Sequence, residues 1–356
     1  MLFILLCVLA SITFFVLDRE KPSSKASRMG EMLFDDFPLN DIIAVQISSY
    51  EKDNLQTFKL KKSESEWVVE DLFEFPADFK SITELVDKLK ESKIGRHFEG
   101  SPDTLSRLAL HDPSQPDTPE DEKAIRIQLL GKDQKSLADV LVGKQRESST
   151  GDDAHYLKPA KENIVYLVDQ TFRFVGKQPQ DWIKTNLLDI PPDDIETVTC
   201  IDSGNQSAIY TVKRPERGAQ PELQTPVDDK PIKSRTVELL FDALSSLSIQ
   251  DVAGPLGEIS EETTGFKTLP YLEFQLFDGT LYRVYPGKKA QAEQDGYYLK
   301  IEVSHVKPEN SPEEPAIAVY NLNRKLSQWV YIISDWEHQS MVTDPEAFFE
   351  KADSND

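Results

Sequence analysis

Asp41-Ile42-Ile43-Ala44-Val45-Gln46-Ile47 has the composition of a buried strand, and the chain repeats it 153 positions later as Asp194-Ile195-Glu196-Thr197-Val198-Thr199-Cys200. Further along, Ile82, Leu85, Val86, Asp87, Leu89 and Ile94 return after 155 positions as Val237, Leu240, Phe241, Asp242, Leu244 and Ile249. Asp181-Trp182 returns after 154 positions as Asp335-Trp336. Three landmarks at nearly one offset indicate two copies of a module of about 155 residues. The expected fold is α+β: two tandem repeats, each with an antiparallel-rich sheet, one long amphipathic helix and a short closing helix. The segments are an apolar terminus at 1–17, a polar stalk at 18–35, modules at 36–190 and 191–345, and an acidic tail at 346–356.

The helices are the clearest local signal. Ile82, Leu85, Val86 and Leu89 fall at i, i+3, i+4 and i+7, the single apolar stripe of a helix lying on a core. This predicts helices over Ser81–Lys93 and Ser234–Leu247. Ser81 with Glu84 has the spacing of a capping box, Asp78 is an alternative N-cap, and Gly95 suits a left-handed helix end. Strands are expected before the first helix at Ile42–Ser48, Leu55–Lys61 and Trp67–Val69. Those after it are Ile125–Leu130, Leu137–Val142, His155–Lys158 and Ile164–Val168. In the second copy, strands are expected at Tyr271–Phe277, Leu281–Tyr285, Tyr297–Val303 and Ile317–Tyr320. Gly131 and Asp278-Gly279 mark hairpin turns. Closing helices are expected near Gln170–Gly176 and Asn321–Ile332.

The first 17 residues are apolar except Ser11 and Thr13. As a helix they would rise about 25 Å, slightly short of the ~30 Å hydrocarbon core. A retained single-pass anchor, a cleaved signal peptide and a buried helix all remain open. Under either of the first two, residues from about 20 onward are extracytoplasmic (periplasmic in a cell with two membranes). Cys7 lies within the apolar run, and Cys200 is the other cysteine, so the exported part has no intradomain disulfide. With 62 acidic against 40 basic residues the net charge is −22. That works against nucleic-acid binding and leaves membrane attachment to the apolar terminus.

The motifs gather into a family likeness. An apolar terminus precedes an Asp-Ile-x-x-Val strand and Trp67-Val68-Val69. Pro76-Ala77-Asp78 then leads into the helix that ends at Leu89…Ile94, and a later strand ends in Gly143-Lys144. This resembles the bacterial domain-of-unknown-function family 4340 (DUF 4340), in tandem behind an N-terminal anchor. The likeness spans the exported region, although Glu222-Leu223-Gln224 stands where the second copy should repeat the tryptophan strand. The resemblance implies an accessory extracytoplasmic part of a transport or gliding-motility-like system, with no catalytic residues to carry over.

No G-x-G-x-x-G, P-loop, G-x-S-x-G, H-E-x-x-H or C-x-x-C is present, so no catalytic residue, cofactor site or metal site is assigned, and no cofactor is expected. Weaker candidates have bland alternatives. Gly143-Lys144 and Gly287-Lys288 are anion-binding turns, or glycines with positive φ at strand ends. The Asp-Trp pairs touch a ligand, or bury an indole behind a turn. Tyr282, Tyr285, Tyr297 and Tyr298 are a saccharide platform, or sheet packing. Asp117–Glu122, Asp152-Asp153, Asp193-Asp194 and Glu258–Glu262 lack the spacing of a calcium loop. His97, His111, His155, His305 and His338 are scattered. The expectation is a membrane-anchored, non-catalytic accessory or scaffold protein with an envelope protein partner. The alternative is a solute- or polymer-binding module using the crevice between the repeats.

Overall fold

The computed structural model describes residues 28–34, 39–64, 66–146, 154–224, 232–290, 295–306, 314–341 and 343–349. The apolar terminus 1–17, most of the stalk and residues 350–356 lie outside these, as do Asp152-Asp153. Among the described residues no helix is long and apolar enough to cross a membrane.

Strand exceeds helix, and the sheets are antiparallel. The first half contains β1 (Ala44–Glu51), β2 (Asn54–Lys62), β3 (Trp67–Val69), β4 (Phe75–Pro76), α1 (Phe79–Glu91), β5 (Ile94–Glu99) and α2 (Pro102–Arg107). It continues with β6 (Ile125–Leu130), β7 (Ser136–Gln145), β8 (His155–Pro159) and β9 (Ile164–Val168). These strands are ordered β4-β3-β2-β1-β6-β7-β8-β9-β5. The second half contains β10 (Asn186–Leu188), β11 (Ile195–Ile201), β12 (Ala208–Lys213), β13 (Glu222–Leu223), α3 (Ser234–Asp242) and β14 (Leu247–Ser248). After these come β15 (Asp251–Pro255), α4 (Glu261–Thr264), β16 (Tyr271–Leu276), β17 (Thr280–Lys289), β18 (Tyr297–His305), α5 (Glu314–Leu326), β19 (Trp329–Ile333) and α6 (Asp335–Ser340). Its main sheet is ordered β13-β12-β11-β16-β17-β18-β19-β15, and β10 pairs separately with β14.

Compact units do not follow the chain in one cut. One comprises the described residues up to Thr57 with Thr83–Lys177; the other comprises Phe58–Ile82 with those from Gln178 onward. The hairpin β3–β4 is therefore counted with the later half of the chain.

Each helix forms for a local reason. In α1 the stripe Ile82, Leu85, Val86 and Leu89 is buried, and Lys88 is only half-buried while Glu91 is exposed. Its N-terminus is held by Asp78 rather than by a Ser81–Glu84 box: the Asp78 carboxylate accepts the Lys80 N–H (3.1 Å) and the Ser81 hydroxyl (2.6 Å). Nor does Gly95 end it. Ser92 does, donating its hydroxyl to the Lys88 carbonyl (2.7 Å), while Gly95 lies within β5. In α3, Val237, Leu240 and Phe241 are buried, but the helix stops at Asp242. The Ser245 N–H and hydroxyl both turn back to the Asp242 carbonyl (2.9 and 2.8 Å), so the buried Leu244 and Leu247 continue the stripe outside the helix.

Two expected elements are displaced. Ile317–Tyr320 is helical, within α5, and the strand is the fully buried Trp329–Ile333 run that had been read as helix. A short apolar run does not reveal its own period, and here the buried side chains were assigned to the wrong one of two neighbours. Gln170–Gly176 forms a turn burying Phe172 and Val175; the helical piece nearby is the 3-10 turn Pro179–Trp182. Near the C-terminus Phe348 is fully buried edge-on to Tyr210 (4.8 Å), so the core extends past residue 346.

Candidate functional site

Concavity with unsatisfied chemistry occurs within the second unit, and it starts from the β3–β4 hairpin. The turn between these strands puts Phe73 and Glu74 at φ 55° and 59°, a strained region for side chains of this size. Ion pairs hold it: the Lys61 ammonium meets Glu74 (2.5 Å) and Glu70 (3.0 Å), and the Asp71 carboxylate accepts the Lys59 N–H (2.8 Å). Those carboxylates keep Lys61 above the usual lysine range, Glu74 more than Glu70. The result is a stiff hairpin whose last residues, Phe75 and Pro76, form one side of a cleft.

Phe75 packs edge-on to Trp329 (5.3 Å, 75°) and to Tyr331 (6.2 Å, 81°), the geometry preferred by aromatic quadrupoles. Tyr331 donates its hydroxyl to the Leu326 carbonyl (2.9 Å), joining β19 to the end of α5. Burial pushes the Tyr331 phenol up, so it stays neutral there. One wall is Leu322, Lys325 and Leu326 with Gln328; the other is Lys184, Asn186 and Leu187. The Lys184 N–H donates to the Pro76 carbonyl (3.0 Å), which fixes that wall against the hairpin. The cleft opens to solvent and has a volume of about 150 Å³. At the rim stand the exposed Lys184 and Lys325 and the carboxylate of Glu66; among the described residues neither ammonium has an ion-pair or hydrogen-bond partner. Among the described residues the lining holds no serine, cysteine or histidine and a single carboxylate. Its chemistry is apolar contact plus cationic recognition.

A wider depression of about 620 Å³ lies in the first unit beside Arg28, His97, Phe98, Glu162 and Tyr166. Its polar groups satisfy one another: Arg28 donates to Glu31 (3.0 Å) and Tyr166 (3.4 Å), and Tyr166 donates to Glu162 (3.2 Å). Although larger, it is a more open surface with its charges already spent, so the smaller cleft is the stronger candidate.

The residues singled out by sequence go elsewhere. Gly143 and Gly287 do not take positive φ. A Cβ on Gly143 would stand 2.4 Å from the Leu108 carbonyl oxygen, and one on Gly287 would stand 2.6 Å from that of Thr264. Close backbone approach, not backbone freedom, calls for glycine. Lys144 donates its N–H to the Leu108 carbonyl (2.8 Å), whereas Lys288 donates its ammonium to that of Glu262 (2.9 Å), so neither forms part of a shared anion site. Trp182 is buried, but Trp336 is 62% exposed, which corrects the expectation that both indoles pack inward. Tyr282 and Tyr298 are buried, Tyr297 stacks on His338 (3.9 Å) and Tyr285 on Tyr271 (4.9 Å), so the four tyrosines make no common platform. The His155 Nδ1 accepts the Phe172 N–H (3.3 Å) and the His305 Nε2 meets the Asp278 carbonyl (3.2 Å). Among the described residues no group of three or more His, Cys, Asp or Glu is arranged to hold a metal ion. Asp193 and Asp194 are paired with Arg214 and Arg217, and Glu261 with Lys267.

Phe75, Lys184, Lys325, Trp329 and Tyr331 carry no sequence motif that points to a site. The one signal that would have found part of the site was the Trp329-Val330-Tyr331-Ile332-Ile333 run, whose β-branched and aromatic content favours a strand.

What the fold defines is a strand-rich α+β protein with antiparallel sheets. The chain belongs to the family described as Domain of unknown function (DUF4340), matched over residues 67–269, more than half its length. No curated protein and no solved structure matches it significantly.

Proposed function

We propose that this is a membrane-tethered extracytoplasmic protein that acts without catalysis, as an accessory or scaffold component of an envelope assembly of the transporter or gliding-motility type. It engages its protein partner at the aromatic cleft. The observation that carries this reading is the cleft itself: an aromatic floor and two lysines without ion-pair partners, with no nucleophile beside a base among the described residues. The experiment is in-cell photo-crosslinking from Asn186, with Glu238 on the exposed side of α3 as the control position. A discrete adduct with an envelope protein from Asn186 alone is the expected result. Equal labelling from both positions, or none from either, sinks the proposal.

Two further parts belong to this reading. Export rests on the apolar run at 1–17 followed by a chain rich in charge. Alkaline phosphatase fused after Asp356 is expected to be active, and activity of a cytoplasm-only reporter in its place would reverse the topology. Duplication rests on sequence offsets, and strand order adds support. Read position by position, β13-β12-β11-β16-β17-β18-β19-β15 runs as β3-β2-β1-β6-β7-β8-β9-β5 does. Short helices capped by Ser101 and Ser260 then bring Leu108 and Thr264 onto Gly143 and Gly287.

A further inference from the structure

We infer that the cleft takes an extended protein segment that carries a carboxylate beside an aromatic side chain. This deepens the proposed function and rests on its reading of the cleft as the partner site.

Size comes first. A space of about 150 Å³ is enough for one benzene-sized group. Beside Phe75, Trp329, Tyr331 and Leu322 it would take a phenyl ring, and it is too small for an acyl chain. A glycan is excluded on different grounds. Sugar stacking needs an open ring face, and Trp329 is 8% exposed and Phe75 3%. These rings meet one another edge-on and present a socket, not a platform.

Several cations elsewhere on the chain are engaged, Arg126 with Asp139 and Asp112, Lys300 with Glu302 and Arg283 with Glu273, so what sets the cleft apart is two exposed lysines beside one apolar recess. Lys184 and Lys325 flank the socket without such partners among the described residues, in a protein of net charge −22. With two ammonium groups against the one carboxylate of Glu66, the rim is net positive on an acidic molecule and favours a local anion. At physiological salt the screening length is roughly 8 Å, so a carboxylate at the rim responds to these lysines more than to the distant acidic surface.

The third argument is the wall. Asn186 and Leu187 belong to β10, which pairs on one side with β14 in a two-stranded ladder. Among the described residues no ladder covers the other edge of β10, and a strand edge is the ordinary means by which an extended segment adds to a sheet. A socket for one ring, cations on either side and a strand edge along one wall together describe a peptide.

The test uses the full-length chain and blocked octapeptides of one frame in calorimetric titration. One peptide has phenylalanine flanked by two glutamates, a second has glutamines in their place, and a third has serine in place of phenylalanine. The glutamate–phenylalanine peptide is expected to bind roughly tenfold more tightly than the glutamine version, since each exposed pair adds a few-fold. In the Lys184→Gln/Lys325→Gln variant that difference should vanish while weaker phenylalanine-dependent binding persists. The serine peptide should not bind. Equal affinity for the glutamate and glutamine peptides overturns the inference, as does phenylacetate competing as well as the peptide, which would make a free aromatic acid the ligand. If no peptide binds but the Asn186 crosslink still yields its protein adduct, only the peptide chemistry fails. If both fail, the partner site itself is wrong.

Discussion

Replacing Trp182 by alanine is expected to cost about 3–5 kcal/mol, whereas Trp336→Ala should change stability by no more than about 0.5 kcal/mol. The two residues occupy matching places in the sequence, each after an aspartate. In the first place Asp181 closes a 3-10 turn by accepting the Gln178 N–H (3.0 Å), and the indole that follows is 1% exposed. The Trp182 carbonyl also accepts the Asp78 N–H (2.7 Å), next to the N-terminus of α1. Truncation therefore opens a large cavity where two chain segments meet. In the second place Ser334 caps α6 by accepting the Glu337 N–H (3.1 Å), so Asp335 begins a true helix. That geometry turns Trp336 outward and Glu337 inward, where its carboxylate accepts the Ser248 N–H (3.2 Å) and hydroxyl (2.9 Å). Urea unfolding of both variants measures the contrast, with the midpoint shifting at constant slope. Equal losses would mean that the exposed indole packs against something after all.

What could be read from sequence followed from local physics. The α1 stripe was legible because four residues at helical spacing need only one face of one helix to be buried. The Asp278-Gly279 hairpin was legible for a similar reason: Gly279 has φ 90° and the Asp278 carboxylate accepts the Thr280 N–H (2.8 Å), both set within the turn. The α5–β19 exchange shows where this breaks down. Ile317 and Tyr320 are 64% and 67% exposed, so hydrophobicity there does not report burial, and the strand next to them is apolar on both faces and carries no period. The cleft was less legible still. Its lining comes from residues 66–76, 184–187 and 322–331, brought together by tertiary folding alone. No motif links them, and the hairpin that contributes Phe75 is counted with a segment that begins only at Gln178.

Gly143→Ala and Gly287→Ala are each expected to destabilise the chain by about 1–3 kcal/mol, the cost of forcing an extra methyl into a filled site. In both places the nearest atom to the new Cβ is a backbone oxygen, at 2.4 Å from Leu108 and 2.6 Å from Thr264, and backbone cannot swing aside as a long side chain can. The remaining neighbours are also tight: Leu110 at 2.8 Å in one, Phe266 and Tyr298 at 2.8 and 2.9 Å in the other. Relief would require α2 or α4 to lift from its sheet, separating Leu110 from Leu141 and Val165, or Phe266 from Tyr298 and Val330. Gly95→Ala supplies the control. A Cβ there meets only the Leu167 carbonyl at 3.4 Å, an ordinary contact, so alanine should be neutral or gain a few tenths of a kcal/mol from the entropy that glycine loses on folding. The comparison separates two physical roles for the same residue type. With close approach as the reason, an L side chain at 143 or 287 stands against a carbonyl and must cost stability, while at 95 it does not. Similar stability of Gly143→Ala, Gly287→Ala and Gly95→Ala would show that α2 and α4 yield easily, and would remove the packing argument for matching glycines in the two halves.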